Sequence, residues 1–393
     1  MNSQINKDNK TGLKFILVLG ALMAFTSFST DIYLPAMPQM SKDLNGDAEL
    51  TITGFLIGFA ISQLIWGPIS DRFGRKLPLF LGVIVFIIGS IGCALSDNIT
   101  EIVFWRVFQA IGACTGPMLS RAMIRDLYTR KQAAHMLSTL MIIMAIAPIV
   151  GPLLGGQIIK VTSWKAIFWL LSAIGVVMSL ALFTLPETLQ KHQRNHYSII
   201  QSFANYIKLL GNWKFMRFTL CITFYYIAAY AFITGSPFVY ISYYKISPQN
   251  YGWLFAINVI GVVGLSFINR FLVVRYKLES LLLVASSIAM VAVVILAISV
   301  RVDFGGIYLM IATIFVFFSM NGIIAATSTV AALDDVPELA GAASALIGAM
   351  QYGSGIVSSL FLAWFCDGTP WTMAWIIALF TMLSTLMIYL KSR

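Results

Sequence analysis

Twelve apolar runs, each long enough to cross a bilayer and separated by short polar loops, leave this chain few folds to choose from. Taking about 20 residues as the length that spans the hydrocarbon, the runs fall at roughly 13–36, 51–70, 77–96, 101–124, 136–157, 164–185, 216–240, 250–274, 279–300, 305–330, 340–363 and 371–390. With 59 % hydrophobic and 11 % charged residues, the chain lacks the polar surface that would cover a water-soluble globule. The expected fold class is therefore all-α and integral to the membrane, with twelve transmembrane helices, because a helix satisfies every backbone polar group within itself.

The basic residues orient these helices. If both termini are cytoplasmic, only Lys42, Lys160, Lys165, Lys245 and Arg301 fall on the outer side, and about 20 lie inside, as the positive-inside bias requires. The net charge of +10 is thus spread over inner loops facing an anionic leaflet. No soluble basic domain is left to hold nucleic acid. The polar head Met1–Thr11 lacks the small-residue cleavage site of a signal peptide, so the first span is expected to be retained.

One polar interval is longer than the rest. Residues 187–214 divide the spans six and six, so the expected organisation is an N-terminal bundle at 1–186, a cytoplasmic linker at 187–214 and a C-terminal bundle at 215–393. An internal repeat supports the division: Gly54 and Asp71-Arg72-Phe73 recur as Gly252 and Asn269-Arg270-Phe271, with Asn269 where the first copy has an acid.

Ionisable residues inside a span are costly and are functional candidates by default. Asp31 lies in the outer half of the first helix and Arg106 early in the fourth, at a depth where each would relieve the other's burial. The plain alternative is an interfacial Asp31 met by water and an Arg106 snorkelling outward. Tyr226 and Tyr230 share a helix face and suit a cavity for flat organic molecules, with core packing as the alternative. Asn258, Asn321 and Gln351 are uncharged polar candidates for the same cavity, with interhelical hydrogen bonding as the alternative; Tyr33 and Gln109, beside the two charged residues, join that expectation. In the fifth helix Pro148, Gly151, Pro152, Gly155 and Gly156 together predict a bent, closely packed helix at a moving interface, or a kink without movement. Asp334, Asp335 and Glu338 form an acidic loop, read as solvated or as an attachment point for the basic hairpin at 67–76.

Enzyme chemistry is not expected, because no His, Cys or carboxylate cluster has ligand or triad spacing; His135, His192 and His196 lie in or near inner loops. Cys93, Cys114, Cys221 and Cys366 are widely spaced and read as packing thiols, so neither a cofactor nor a metal site is expected.

At these residues the chain resembles the major facilitator superfamily. Gly67-x-x-x-Asp71-Arg72-x-Gly74-Arg75-Lys76 matches that family's loop motif between helices two and three. Arg106-x-x-Gln109 followed by Gly112 is similar to its fourth-helix motif, with Ala110 for the usual first glycine. Gly151-Pro152-x-x-Gly155-Gly156 is similar to the fifth-helix motif associated with antiporters, with Ala147 for a glycine. More narrowly, Asp31-Ile32-Tyr33-Leu34-Pro35-Ala36-Met37-Pro38, Arg125-Asp126-Leu127-Tyr128, Ser236-Pro237-Phe238-Val239-Tyr240-Ile241 and Ala340-Gly341-Ala342-Ala343-Ser344 resemble the bicyclomycin-resistance group of drug:proton antiporters. The likeness implies two six-helix bundles working by alternating access in a bacterial inner membrane, exporting small organic compounds in exchange for protons. It implies Asp31 as the proton site and Arg106 as its electrostatic modulator. It also implies a cytoplasmic latch at Gly67, Asp71, Arg72, Gly74 and Arg75, to which Arg121 or Arg125 contributes. The expected partners are a small-molecule substrate, protons and the lipid bilayer, with the chain a monomer. A transporter of a physiological metabolite, such as a nucleoside or amino-acid derivative, is the alternative. A sensor is disfavoured for want of an output domain, and a channel for want of rings of like polar residues.

Overall fold

The computed structural model describes residues 13–191, 194 and 199–390. The polar head Met1–Thr11, His192, His196, Lys391 and Arg393 lie outside the described residues, as do the side chains of Arg130, Lys131 and His135. The described residues are helical with no strand, and twelve helices are long and apolar enough to cross a membrane. They are α1 (Lys14–Asp43), α2 (Glu49–Phe73), α3 (Lys76–Leu95), α4 (Ile99–Leu127), α5 (Thr139–Val161), α6 (Lys165–Leu182), α7 (Trp213–Tyr243), α8 (Pro248–Arg275), α9 (Leu278–Arg301), α10 (Gly306–Asp334), α11 (Pro337–Trp364) and α12 (Pro370–Tyr389). All twelve expected spans are present. The first runs on to Asp43 because the chain re-forms a helix, Met37–Asp43, beyond its prolines.

Internal packing divides the chain into two compact units, one of Met1–Gly46 and Gly54–Ile199, the other of Asp47–Thr53 and Ile200–Arg393. Within the first, α1 packs on α4 and α5, and α3 on α4 and α6. Within the second, α7 packs on α10 and α11, and α9 on α10 and α12. The second set is the first advanced by six helices, so the internal repeat is one of packing as well as of residues. Its second sequence copy departs in detail: Asp71-Arg72-Phe73 ends α2, whereas Asn269-Arg270-Phe271 lies inside α8, which runs on to Arg275. The polar interval between the bundles is not all loop, since Ile199–Leu210 is a helix. The four cysteines are unpaired, with Cys93, Cys114 and Cys221 buried as packing thiols and Cys366 exposed.

Candidate functional site

Pro35 and Pro38 decide the shape of α1. Proline carries no N–H, so the Asp31 carbonyl loses the helical donor it would find at position 35. The α-helix Leu13–Asp31 stops there, a 3-10 turn follows at Leu34–Ala36, and helix resumes at Met37. Asp31 is therefore the last residue of a helix at a break inside a membrane span. It is buried, 7 % exposed, and its Oδ1 accepts a hydrogen bond from Thr30 Oγ1 at 3.1 Å.

Helix α5 covers this break. A Cβ on Gly151 would lie 3.2 Å from the Ile32 nitrogen and 3.3 Å from Asp31 Cβ, and one on Gly155 would overlap the Ile32 carbonyl oxygen. The glycines, four apart and hence on one face, let α1 come down onto the α5 backbone. Pro148 and Pro152 sit within a helix that remains continuous from Arg130 to Val161. The cluster thus gives α5 close packing against α1 and no break of its own. Gly156 is buried alongside.

Arg106 stands about two turns into α4 and is fully buried, which excludes the snorkelling alternative. Its Nη1 donates to the Ser29 carbonyl at 3.3 Å and to Gln109 Oε1. Gln109 Nε2 in turn donates to Ser90 Oγ at 2.8 Å, and Ser90 Oγ to the Phe86 carbonyl at 2.8 Å. The guanidinium carbon lies 4.4 Å from the ring centres of Tyr33 and Phe55 and 5.9 Å from that of Phe168. Ring faces attract a cation most strongly where water is excluded, and here they stand where a carboxylate was expected. Asp31 and Arg106 make no direct ion pair among the described residues; the Arg106 charge acts on the Asp31 carboxylate through space. Tyr33 and Gln109, expected along a substrate cavity, are both fully buried and lie against Arg106.

A further proline couples α1 to α4. Pro117 cannot donate to the Ala113 carbonyl, and α4 breaks at Cys114 between helical segments Ile99–Ala113 and Thr115–Leu127. Thr26 Oγ1 supplies the missing donor at 2.9 Å. The chain segment bearing Asp31 is thereby tied to the helix bearing Arg106.

The basic hairpin forms a separate cluster at the end of the same bundle. Gly74 takes φ +96°, a left-handed conformation that turns the chain from α2 into α3. Glu187 caps the start of α3, accepting from the Arg75 and Lys76 backbone N–H groups at 2.9 and 3.1 Å, where a helix N-terminus favours an anion. Arg75 is held by Asp71 at 2.6 Å and Asp126 at 2.9 Å, and Ser70 Oγ accepts from its Nη1 at 2.8 Å. Thr188 Oγ1 donates to Asp126 at 3.0 Å. Burial pushes the Arg75 guanidinium down, but hydrogen bonds and charge from Asp126 and Asp71 outweigh it and hold it above its ordinary value. Arg75 is thus permanently charged, with its side chain 5 % exposed and that of Asp126 12 %. Arg75→Ala leaves the Asp126 carboxylate without its cation and is expected to cost on the order of 3 kcal/mol. Thermal unfolding in detergent measures it, with Arg75→Ala/Asp126→Ala expected to recover part of the loss; a single variant as stable as the parent would remove the pair from the account. Of the expected latch residues, Asp71, Gly74 and Arg75 come together here. Arg72 lies over the ring of Phe73, Arg121 donates to the Pro117 carbonyl of its own helix, Arg125 is exposed, and Gly67 faces open space.

In the second bundle, Tyr226 faces Asn321 and Gln351 and lies 6.2 Å from Tyr230, ring centre to ring centre. These four are partly exposed and form one polar, aromatic group on α7, α10 and α11. Asn258 does not join them: it is buried and donates to the Leu254 carbonyl of its own helix at 3.2 Å. Tyr225 is also committed to packing, its hydroxyl donating to the Phe317 carbonyl at 2.6 Å. The acidic residues Asp334, Asp335 and Glu338 are exposed.

Sequence reasoning missed Phe55, Phe168, Ser29 and Ser90 around Arg106, and Asp126 and Glu187 around the hairpin. Aromatic and small residues in an apolar run carry no distinguishing signal. The two acids did carry one: each is a carboxylate at the end of a span, beside a loop rich in cations.

Residues 17–359 match the description of the Major Facilitator Superfamily. The chain belongs to this family. It is 35 % identical over 361 residues to the Bacillus subtilis "Uncharacterized MFS-type transporter YdgK", covering 90 % of this chain and 89 % of that one. It is 30 % identical to a Haemophilus influenzae "Bicyclomycin resistance protein homolog" over 90 % of each chain, and 27 % identical to Escherichia coli "Multidrug resistance protein D" over 88 % of each. Among solved structures, the nucleoside transporter NupG superposes with a TM-score of 0.78 at 14 % identity, covering 96 % of this chain and 99 % of that one. The Escherichia coli xylose transporter XylE superposes with a TM-score of 0.73 at 14 % identity, covering 96 % of each chain. At that identity the superpositions establish the major facilitator fold alone. The chain is accordingly a multi-pass inner-membrane transporter of the bacterial type, not a member of an enzyme family.

Proposed function

We propose that this transporter exports small organic compounds, drugs among them, in exchange for protons by alternating access. The observation that carries the reading is the placement of Asp31, a buried carboxylate at a helix break, covered by glycines of α5 and within electrostatic reach of Arg106. Two relatives named for bicyclomycin and multidrug resistance support the substrate class. Burial disfavours the charged carboxylate and a nearby cation favours it, so a conformational change that alters either moves the proton on or off. Because the break in α1 frees this segment from the helical ladder, Asp31 can change its surroundings without unwinding a span.

Substrate and proton are linked when occupancy by one weakens the other. In this scheme Tyr226, Tyr230, Asn321 and Gln351 form the aromatic and polar wall for the substrate, Arg106 is the fixed charge that Asp31 senses, and the Arg75 cluster holds the inner end of the first bundle. Both termini lie in the cytoplasm, given the distribution of basic residues, and the chain works as a monomer. Inverted membrane vesicles test coupling and orientation together. With an imposed proton gradient, adding a transported drug is expected to release protons from the lumen, and a tag after Arg393 is expected to be open to external protease. Drug movement without proton movement would reject the coupling; a protected tag would reject the orientation.

A further inference from the structure

Outside the proton site, the first bundle carries a cleft of about 740 Å³ beside the basic hairpin. Its polar end holds Lys76, Lys191 and Arg194 against one carboxylate, Glu187. Glu187 is already engaged by the backbone N–H groups of Arg75, Lys76 and Leu189, and Arg194 reaches it only at 4.0 Å. Lys76 Nζ donates to the carbonyls of Leu185 at 2.8 Å and Phe183 at 3.3 Å, so neutral groups orient it and no carboxylate pairs with it among the described residues. The Arg194 Nε is buried and without a hydrogen-bond partner among the described residues. The cleft therefore has an excess of positive charge at its polar end.

Its other wall is apolar: Phe73 and Leu77 are exposed, and Phe80 packs against Phe183 with ring centres 4.8 Å apart and planes tilted by 60°. From there an exposed stripe runs up α3 through Leu81, Ile84 and Ile88, spaced three or four apart on one helix face. A parallel stripe, Phe183, Leu180 and Val177, runs along α6, which packs on α3. A cationic cup opening onto two neighbouring apolar stripes has the amphipathic shape of a lipid. A soluble anion would leave the stripes unused.

We propose that this cleft is a binding site for an anionic phospholipid of the inner leaflet, its phosphate among Lys76, Lys191 and Arg194 and its acyl chains along α3 and α6. Clustered basic residues at the inner face favour anionic headgroups in general; this one is a defined cleft with an apolar continuation. A lipid there bridges the hairpin at Lys76 to the start of the linker at Lys191 and Arg194, so its headgroup would brace the α2–α3 turn against the segment that leaves the bundle.

Native mass spectrometry of the purified full chain, titrated with phosphatidylglycerol and separately with phosphatidylcholine, tests the site. The parent is expected to bind the first phosphatidylglycerol about tenfold more tightly than phosphatidylcholine, and Lys191→Gln/Arg194→Gln to lose most of that preference. Because Lys76 also orients neighbouring carbonyls, its replacement is kept for a separate variant, Lys76→Gln, expected to reduce the preference in a protein of unchanged thermal stability. Control replacements at the second bundle's hairpin, Arg275→Gln/Lys277→Gln, are expected to leave it intact. A preference unchanged in the Lys191→Gln/Arg194→Gln variant, or lost equally in the control, would overturn the proposal. So would displacement of the lipid by millimolar inorganic phosphate, which would mark the cup as a site for free anions.

Discussion

Asp31→Asn is expected to abolish accumulation of substrate against its gradient when a proton gradient is the only driving force, while leaving a folded protein. Asparagine has nearly the same shape, keeps an oxygen that accepts from Thr30 Oγ1, and places no larger group against Gly151. What it removes is the exchangeable proton. Binding of an uncharged substrate should therefore persist, and the pH dependence of that binding should vanish. Downhill exchange of one substrate molecule for another, which needs no proton, is expected to survive. These three readouts separate loss of coupling from loss of structure, because a misfolded variant would fail all of them. If purified Asp31→Asn protein performs proton-coupled transport with the parent's pH profile, Asp31 is not the coupling residue and the mechanism proposed for this bundle is wrong.

Gly155→Ala is expected to be more damaging than a single methyl group ordinarily is. The added Cβ would overlap the Ile32 carbonyl oxygen, which is backbone and has no rotamer to escape into. Either α5 moves away from α1 or the break after Asp31 re-forms elsewhere. Overpacking of this kind costs about 1–3 kcal/mol, and here the displaced atoms belong to the segment that carries the proposed proton site. The expected result is a lowered melting temperature in detergent together with near-complete loss of proton-coupled transport. Gly151→Ala is a graded comparison: its Cβ meets the Ile32 nitrogen at 3.2 Å and Asp31 Cβ at 3.3 Å, contacts that a shift of a few tenths of an ångström relieves. It is expected to fold with near-parent stability and to alter the pH profile more than the maximal rate. Equal behaviour of the two variants would show that the approach of α5 to α1 does not govern the site.

The two substitutions probe what could and could not be read before folding. Composition and run length alone dictated twelve spans, because lipid leaves a backbone no other way to satisfy its polar groups. The glycines of α5 were legible as a local rule, since each removes a side chain wherever the fold puts it, whereas the breaks at Pro35 and Pro117 fall inside runs that read as continuous spans. Asp31 and Arg106 stood out because charge inside an apolar run is rare. The basic hairpin stood out as punctuation, and its Gly74 turn follows from residue type alone.

The partners of these residues were decided only by tertiary structure. Sequence suggested that Arg106 faces Asp31, since opposite charges at similar depth relieve each other. In the fold the guanidinium meets the Ser29 carbonyl, Gln109 and three rings drawn from α1, α2 and α6. Thr26 supplies the donor that Pro117 withdraws, though the two are 91 positions apart by number. Glu187, which sequence could use only to mark the edge of a linker, caps α3 more than a hundred residues away. The reason is common to all three: a break, a cap or a buried charge creates a local demand that sequence displays, but which distant group meets it depends on which helices come to lie side by side.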